Sequence, residues 1–342
     1  MRTPEIGYLI AAATAISVLA SCSGGPSAPA TSLASQQNQG RIVKHQTACP
    51  CVYVANYDGN SINVFPVGTS GNVAPSQYIY GSNTELNDPT GVAVDSNDNV
   101  YVANYAGNSI SIYAAGATGN ATPTAVISGS NTGLEEPAGV AIDPLNGDIY
   151  VENYQGGPSG GGTVNFYAPG SNGNVAPLGS IAGSNTELDT SVGLALDSSG
   201  NIYVPNIDNL VTVYAAGSSG NVAPATTISG SNTQLDDPYQ VALDSSSNIY
   251  VANEVAAASS VTAYPAGANG NVRPKYDITG KKTKLEYTSG VALDANNNVY
   301  ASDEGNSTIT FYPAGSTGNV KPTGTIKGAK TKLDHPWGIA IH

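Results

Sequence analysis

Four short motifs recur six times each in register, and this recurrence limits the possible folds more than any other feature. Gly-Val-Ala-Val-Asp and its variants begin at Gly91, Gly139, Gly193, Gln240, Gly290 and Gly338. Val-Tyr-Val-Ala-Asn variants begin at Val52, Val100, Ile149, Ile202, Ile249 and Val299. Gly-Asn-Val-x-Pro begins at Gly71, Gly119, Gly173, Gly220, Gly270 and Gly318, and Gly-Ser-Asn-Thr-x-Leu at Gly81, Gly129, Gly183, Gly230, Gly280 and Gly328. Successive copies of a motif lie 47 to 54 residues apart. A period of that length marks a stacked supersecondary unit that cannot bury its apolar surface alone.

Each period carries four short apolar runs bounded by Gly, Asn, Asp and Pro, which are strand and turn signals. In the second repeat they are Val92–Val94, Val100–Ala103, Ser109–Tyr113 and Ala125–Ile127. A four-stranded sheet with two apolar faces is covered when such sheets stack radially, which predicts an all-β, six-bladed propeller of antiparallel blades. Composition agrees: 40 Gly, 21 Pro and 20 Tyr against 3 Phe suit many short strands and turns rather than helices. The termini are out of phase. The first repeat has its second, third and fourth strands (Val52–Ala55, Ser61–Phe65, Gln77–Tyr80) but no first. The C-terminus ends on one unmatched first strand, Gly338–His342. Joining them completes a blade and removes the two worst edges.

Several repeated polar residues have structural readings. Asp95, Asp143, Asp197, Asp244 and Asp294 end the innermost strands before a turn and read as turn caps. Asn56, Asn104, Asn153, Asn206, Asn253 and Asp303 end the second strands and read as turn locks. Tyr53, Tyr101, Tyr150, Tyr203, Tyr250 and Tyr300 alternate with aliphatics and read as inter-blade packing.

Residues 1–21 read as a signal peptide: Arg2 precedes the small-residue-rich apolar stretch Ile6–Ala20. Leu19-Ala20-Ser21-Cys22 resembles the bacterial lipoprotein signal, which implies lipid (palmitate among the chains) on Cys22 and attachment to a membrane of the cell envelope, at the outer membrane or cell surface. Residues 22–48 are a Ser/Gly/Pro/Gln-rich tether, and the propeller spans 49–342. Cys49-Pro-Cys51 leaves several readings open: a strained bridge, two thiols, a weak metal pair with His45, or plain packing of Cys51 where the first blade starts.

The repeats resemble NHL repeats, in which a Gly-hydrophobic-Ala-hydrophobic-Asp strand precedes a Tyr-Val-Ala-Asp/Asn strand, from about Cys51 to His342. The resemblance implies the fold and leaves function open among binding platforms, lyases and, in neighbouring six-bladed families, metal-dependent lactonases. Zinc lyases of this type need several His, and the chain has three: His45, His335 and His342. A lactonase-like divalent cation such as calcium needs one Glu, two Asn and one Asp from different blades, a set matched in residue type by Glu152, Asn206, Asn253 and Asp303.

The net charge of −13 disfavours nucleic acid as a partner. It is unevenly spread: no Lys or Arg lies between His45 and Val272, and nine of the 12 basic residues lie between Arg273 and Lys332. Loops joining a fourth strand to the next first strand share a face, here the top face, with the loops joining second to third strands. In the last two repeats they become Gly280-Lys281-Lys282-Thr283-Lys284-Leu285 and Gly328-Ala329-Lys330-Thr331-Lys332-Leu333. The residue just before each innermost strand (Thr90, Ala138, Val192, Tyr239, Ser289, Trp337) falls at the channel mouth of that face. Trp337, the single Trp, and Tyr239 beside clustered lysines suit an anionic or sugar-like ligand or an acidic protein; a Trp plugging the channel beneath merely solvated lysines is the alternative. Gly156–Gly162 lengthens one top-face loop. The sequence therefore points to a non-catalytic, envelope-anchored binding or scaffold propeller without a cofactor, with a metal-dependent lactonase-like hydrolase as the alternative.

Overall fold

The structure, a computed structural model, describes residues 50–157, 161–256 and 258–342. The signal peptide, the tether, Cys22 and Cys49 lie outside the described residues. The first blade joins β1 (Cys51–Asn56), β2 (Ser61–Pro66) and β3 (Gln77–Tyr80) to the last strand, β24 (Pro336–Ile341), in the order β24-β1-β2-β3. The second holds β4 (Pro89–Val94), β5 (Val100–Asn104), β6 (Ser109–Tyr113) and β7 (Ala125–Ser128). The third holds β8 (Pro137–Ile142), β9 (Ile149–Asn153), β10 (Thr163–Tyr167) and β11 (Gly179–Ile181). The fourth holds β12 (Ala195–Leu196), β13 (Ile202–Asn206), β14 (Leu210–Tyr214) and β15 (Thr226–Ser229). The fifth holds β16 (Pro238–Leu243), β17 (Ile249–Asn253), β18 (Ser260–Tyr264) and β19 (Tyr276–Thr279), and the sixth β20 (Thr288–Leu293), β21 (Val299–Asp303), β22 (Thr308–Tyr312) and β23 (Gly324–Ile326).

Consecutive residues of a strand serve different cores, which is why both faces of each blade are apolar. Val100 and Val102 pack with Tyr53, Ile62 and Ile79 of the first blade, while Tyr101 and Ala103 pack with Ile149 and Val151 of the third. Six such clusters alternate with six blades around the ring. The sixth lies across the closure, where Val52, Val54, Phe65 and Ile339 meet Tyr300, Ile309 and Ile326.

Two loop motifs latch the rim. Gly173 bridges to Ile127 of the preceding blade, and the backbone N–H of Asn131 donates to Asn174 Oδ1 at 2.7 Å. The same latch joins Asn83 to Asn120, Asn185 to Asn221, Asn232 to Asn271, Lys282 to Asn319 and, across the closure, Lys330 to Asn72. Gly129 sits at φ 119°, and a Cβ there would lie 2.6 Å from Asn174 Cγ, so the latch requires glycine. Inside the ring, the Asp95 carboxylate accepts the backbone N–H groups of Asn97 and Asn99 and the Tyr101 hydroxyl, closing the turn from β4 to β5.

The fourth blade departs from the pattern. Its first strand is ordered as β12 only over Ala195–Leu196, and Gly193, two residues before it, adopts φ +82°. The Glu152 carboxyl of the third blade fills the gap, accepting from Ser191 Oγ at 2.6 Å and from the Gly193 N–H at 3.2 Å.

Candidate functional site at the top mouth

One small cavity of about 20 Å³ at the channel is lined by Thr90, Ala138, Tyr239, Ser289 and Trp337, each the second residue of its innermost strand, and by Val192 ahead of β12. Gln240 closes the channel there. It stands where the other repeats have glycine, donates from Nε2 to the Ile339 carbonyl at 3.0 Å, and accepts on Oε1 from the N–H groups of Val291 and Ile339, each at 3.3 Å. The space left holds about one water molecule, so a ligand meets the mouth rather than the bore.

Above this floor lies a second ring, made by the residue after each turn lock: Tyr57, Tyr105, Tyr154, Ile207, Glu254 and Glu304. The turn locks fix it in place. Each lock accepts the N–H of the loop leading into its own blade, as Asn56 does from Asp334 and Asn153 from Glu135, both at 3.1 Å. Tyr57 contacts Tyr105 edge-on with centroids 6.5 Å apart, and Tyr105 contacts Tyr154 at 5.9 Å. Trp337 packs on Tyr57 at 4.8 Å and on Tyr239 at 5.9 Å, reaching across the small Ser289 of the sixth blade. The five aromatic side chains thus form one half-buried arc.

The fifth and sixth blades add the acidic residues Glu254 and Glu304 to the same ring. Burial, then the charges of Glu304 and Asp237, pushes the Glu254 carboxyl up to about 8. Burial also raises Glu304, where His335 lowers and Asp58 raises it. Burial and the nearby carboxylates of Asp88, Asp58 and Glu304 raise Tyr57. Glu254 Oε2 and Trp337 Nε1 are buried atoms without a hydrogen-bond partner.

The structure places the lysines elsewhere on the top face. Lys281, Lys284 and Lys327 line an open groove of about 670 Å³ with Glu286, Asn306, Thr308 and Thr325, over the outer strands β22 and β23. Lys282, Lys330 and Lys332 are exposed on the same type of loop, and no lysine lines the channel cavity. Trp337 and Tyr239 are brought together, and the lysine cluster is not joined to them.

Residues 86–113, spanning most of the second blade, match the NHL repeat. The other five blades carry the same short motifs in register. The chain is a six-bladed β-propeller with an NHL repeat in its second blade. No curated protein matches its sequence. Among solved structures it is similar to a protein of unknown function from Bacteroides caccae, with a TM-score of 0.61 and 13% identity over 86% of this chain and 99% of that one. It is also similar to the WD40 β-propeller domain of Doa1, with a TM-score of 0.51 and 12% identity over 73% of this chain and 71% of that one. At such identities these likenesses speak for the fold alone.

The propeller uses the four residues of the metal reading separately. Asn206 and Asn253 accept loop N–H groups from Asp189 and Asp236, each at 3.2 Å, and donate to Thr212 and to Ser260 and Thr262. Asp303 accepts from the Glu286 N–H and from the Thr288 hydroxyl. Glu152 is engaged by Ser191 and Gly193, and burial pushes it well above the ordinary carboxylate range. Among the described residues no group of three or more His, Cys, Asp or Glu side chains is placed to hold a metal ion. Sequence reasoning found the column containing Trp337 and Tyr239 but passed over Tyr57, Tyr105, Tyr154, Glu254, Glu304 and Gln240. The signal was present: a column one residue past the turn lock reads Tyr, Tyr, Tyr, Ile, Glu, Glu, and Gln240 interrupts a column of glycines.

Proposed function

We propose that this propeller is a non-catalytic binding or scaffold protein of the cell envelope, tethered by lipid on Cys22, that offers its top face to a ligand or protein partner. A closed propeller is a rigid interaction platform whose loops differ while its blades do not. The observation that carries the reading is the half-buried aromatic arc around Trp337, set over a channel floor closed by Gln240. Buried tyrosine and tryptophan at a concave rim supply large, rigid contact area of the kind that anchors interfaces. The groove of Lys281, Lys284 and Lys327 adds a separate basic surface for an anionic group, and Lys282, Lys330 and Lys332 are exposed on loops of the same type.

The test compares two top-face variants, Trp337→Ala and the triple Lys281→Ala, Lys282→Ala, Lys284→Ala, with Leu145→Ala. Leu145 is exposed in the turn between β8 and β9, on the opposite face. Panels of sulfated and neutral glycans and of acidic and basic peptides are screened by interferometry. Loss of a bound ligand by at least about tenfold in a top-face variant, with Leu145→Ala unaffected, supports the reading. Binding that survives both top-face variants and falls with Leu145→Ala overturns it. Cys22→Ala is expected to move the protein from the membrane to the soluble fraction, and full retention in the membrane argues against the anchor.

A further inference from the structure

We infer that the top mouth is a binding site for an organic ammonium group, held between the rings of Trp337, Tyr57 and Tyr239 and the carboxylates of Glu254 and Glu304. This rests on the top-face reading and names the ligand chemistry of that same site.

Three features converge. The first is the aromatic arc. Trp337 packs 4.8 Å from Tyr57 and 5.9 Å from Tyr239, its side chain half-buried at the mouth, and a cation over a Trp or Tyr face within about 6 Å is attracted by the ring quadrupole. The second is a pair of half-buried carboxyl groups with no lysine or arginine partner. Glu254 follows β17 and Glu304 follows β21, with Ser289, whose hydroxyl donates to the Tyr287 carbonyl, beside both. The charges acting on the pair come from each other, from Asp237 and Asp58, and from His335. That imidazole is already engaged by Asp58 at 2.9 Å and Asp334 at 3.3 Å. No lysine or arginine contributes. Glu254 Oε2 is buried and has no partner, an arrangement that costs free energy until a donor or a cation arrives. The third is depth. With Gln240 closing the bore over a space of about 20 Å³, the mouth takes a compact head group and not a threaded chain.

These features also discriminate between ligand classes. An anion would meet Glu254 and Glu304 with no lysine or arginine beside it. A neutral sugar could stack on the rings but would bring the two carboxyl groups no cationic partner. An ammonium group satisfies both the rings and the carboxyl groups, and the buried Trp337 indole N–H remains for an oxygen acceptor on the same ligand.

Trp337 is the only Trp in the chain, so its fluorescence reports on this site without labelling. Tetramethylammonium chloride and the peptide acetyl-Gly-Lys-Gly-amide are titrated into the full chain, with sodium chloride at matched ionic strength as control. A saturable change in Trp337 emission beyond the sodium chloride control is expected, with affinity at least about tenfold weaker in Glu254→Gln. Tighter binding of tetramethylammonium points to a free quaternary ammonium compound, and tighter binding of the peptide points to a lysine of a partner protein. Tetramethylammonium does not titrate, so its affinity is expected to rise between about pH 6 and 9 as Glu254 ionises, and to flatten in Glu254→Gln. The assignment is overturned if neither cation gives a saturable change, or if Glu254→Gln binds as tightly as the parent. A Trp337 response to a sulfated or neutral saccharide in place of the cations would retain the top-face reading and discard the ammonium site.

Discussion

At the scale of single residues, the six-fold repeat acts as an internal mutagenesis series. Five turn locks are asparagine and the sixth is Asp303. Asn104 donates from Nδ2 to Ser109 and Ser111 and accepts the Asn87 N–H on Oδ1. Asp303 meets the matching hydroxyls of Thr308 and Thr310, the Thr288 hydroxyl and the Glu286 N–H, so it can only accept when ionised. Burial outweighs those bonds and pushes Asp303 from 3.8 up to about 7. Between these values the unfolded chain is ionised while the fold holds the proton, so stability falls as pH rises through that window. Asp303→Asn is therefore expected to stabilise the protein at pH 8 by about 2–4 kcal/mol and to flatten its melting temperature between about pH 4 and 7. Thermal melts across that range check this, and a variant that melts lower at pH 8 would contradict it. A second natural substitution is already compensated. Tyr113, Tyr167, Tyr214, Tyr264 and Tyr312 donate their hydroxyls to loop carbonyls, whereas the first blade has Phe65 at that position. There Asn63 Nδ2 supplies the missing donor to Thr331 O at 2.8 Å.

At the scale of elements, the loops divide into those that hold the ring and those that differ. The latch between one blade's Gly-Ser-Asn-Thr loop and the next blade's Gly-Asn-Val loop recurs unchanged where lysine replaces asparagine, because Lys282 and Lys330 use only their backbone N–H in it. The lysines therefore decorate a loop whose path is already fixed. Asn174→Ala removes one latch and is expected to cost about 1–2 kcal/mol, with exchange of the Asn131 amide rising before that of the inner strands. Hydrogen exchange reads this directly, and uniform protection would show that the latch adds nothing. Strands, turn caps and ring closure were legible in the sequence because each is set by residues close together in the chain or by the phase of the repeat. The column at the mouth was legible for the same reason. The neighbours of Trp337 were not. Its packing on Tyr239 depends on Ser289 being small on the blade between them, and the closure of the bore depends on Gln240 reaching Ile339, 99 positions away. Of the lysines close to Trp337 in sequence, Lys327 lies over β22 and β23, Lys330 and Lys332 are exposed, and none lines the channel cavity.

At the scale of the whole molecule, closure rests on one strand. β24 pairs with β1 through Val52 with Ile341, Tyr53 with Ala340 and Val54 with Ile339, and Cys51 and His342 exchange both backbone hydrogen bonds. The Trp337 carbonyl accepts the Ser302 hydroxyl of the sixth blade, and Gln240 of the fifth donates to Ile339, so the same strand ties three blades together. Deleting residues 336–342 withdraws the buried Ile339 and the half-buried Trp337 and Ile341, together worth about 3–6 kcal/mol of apolar burial. It also bares the edge of β1, whose Val52 and Val54 are fully buried in the closed ring. An exposed, flat, apolar edge recruits other strands, so the truncated chain is expected to melt at least about 5 °C lower and to self-associate. Size-exclusion chromatography and thermal melts test this, and a synthetic peptide covering residues 335–342 is expected to restore the monomer by taking the empty place beside β1. A truncated protein that stays monomeric with an unchanged melt would mean that the six inter-blade cores hold the ring without the clasp. Rescue by the peptide, in contrast, would separate loss of the strand from general misfolding, because the peptide can dock only onto a first blade that is already built.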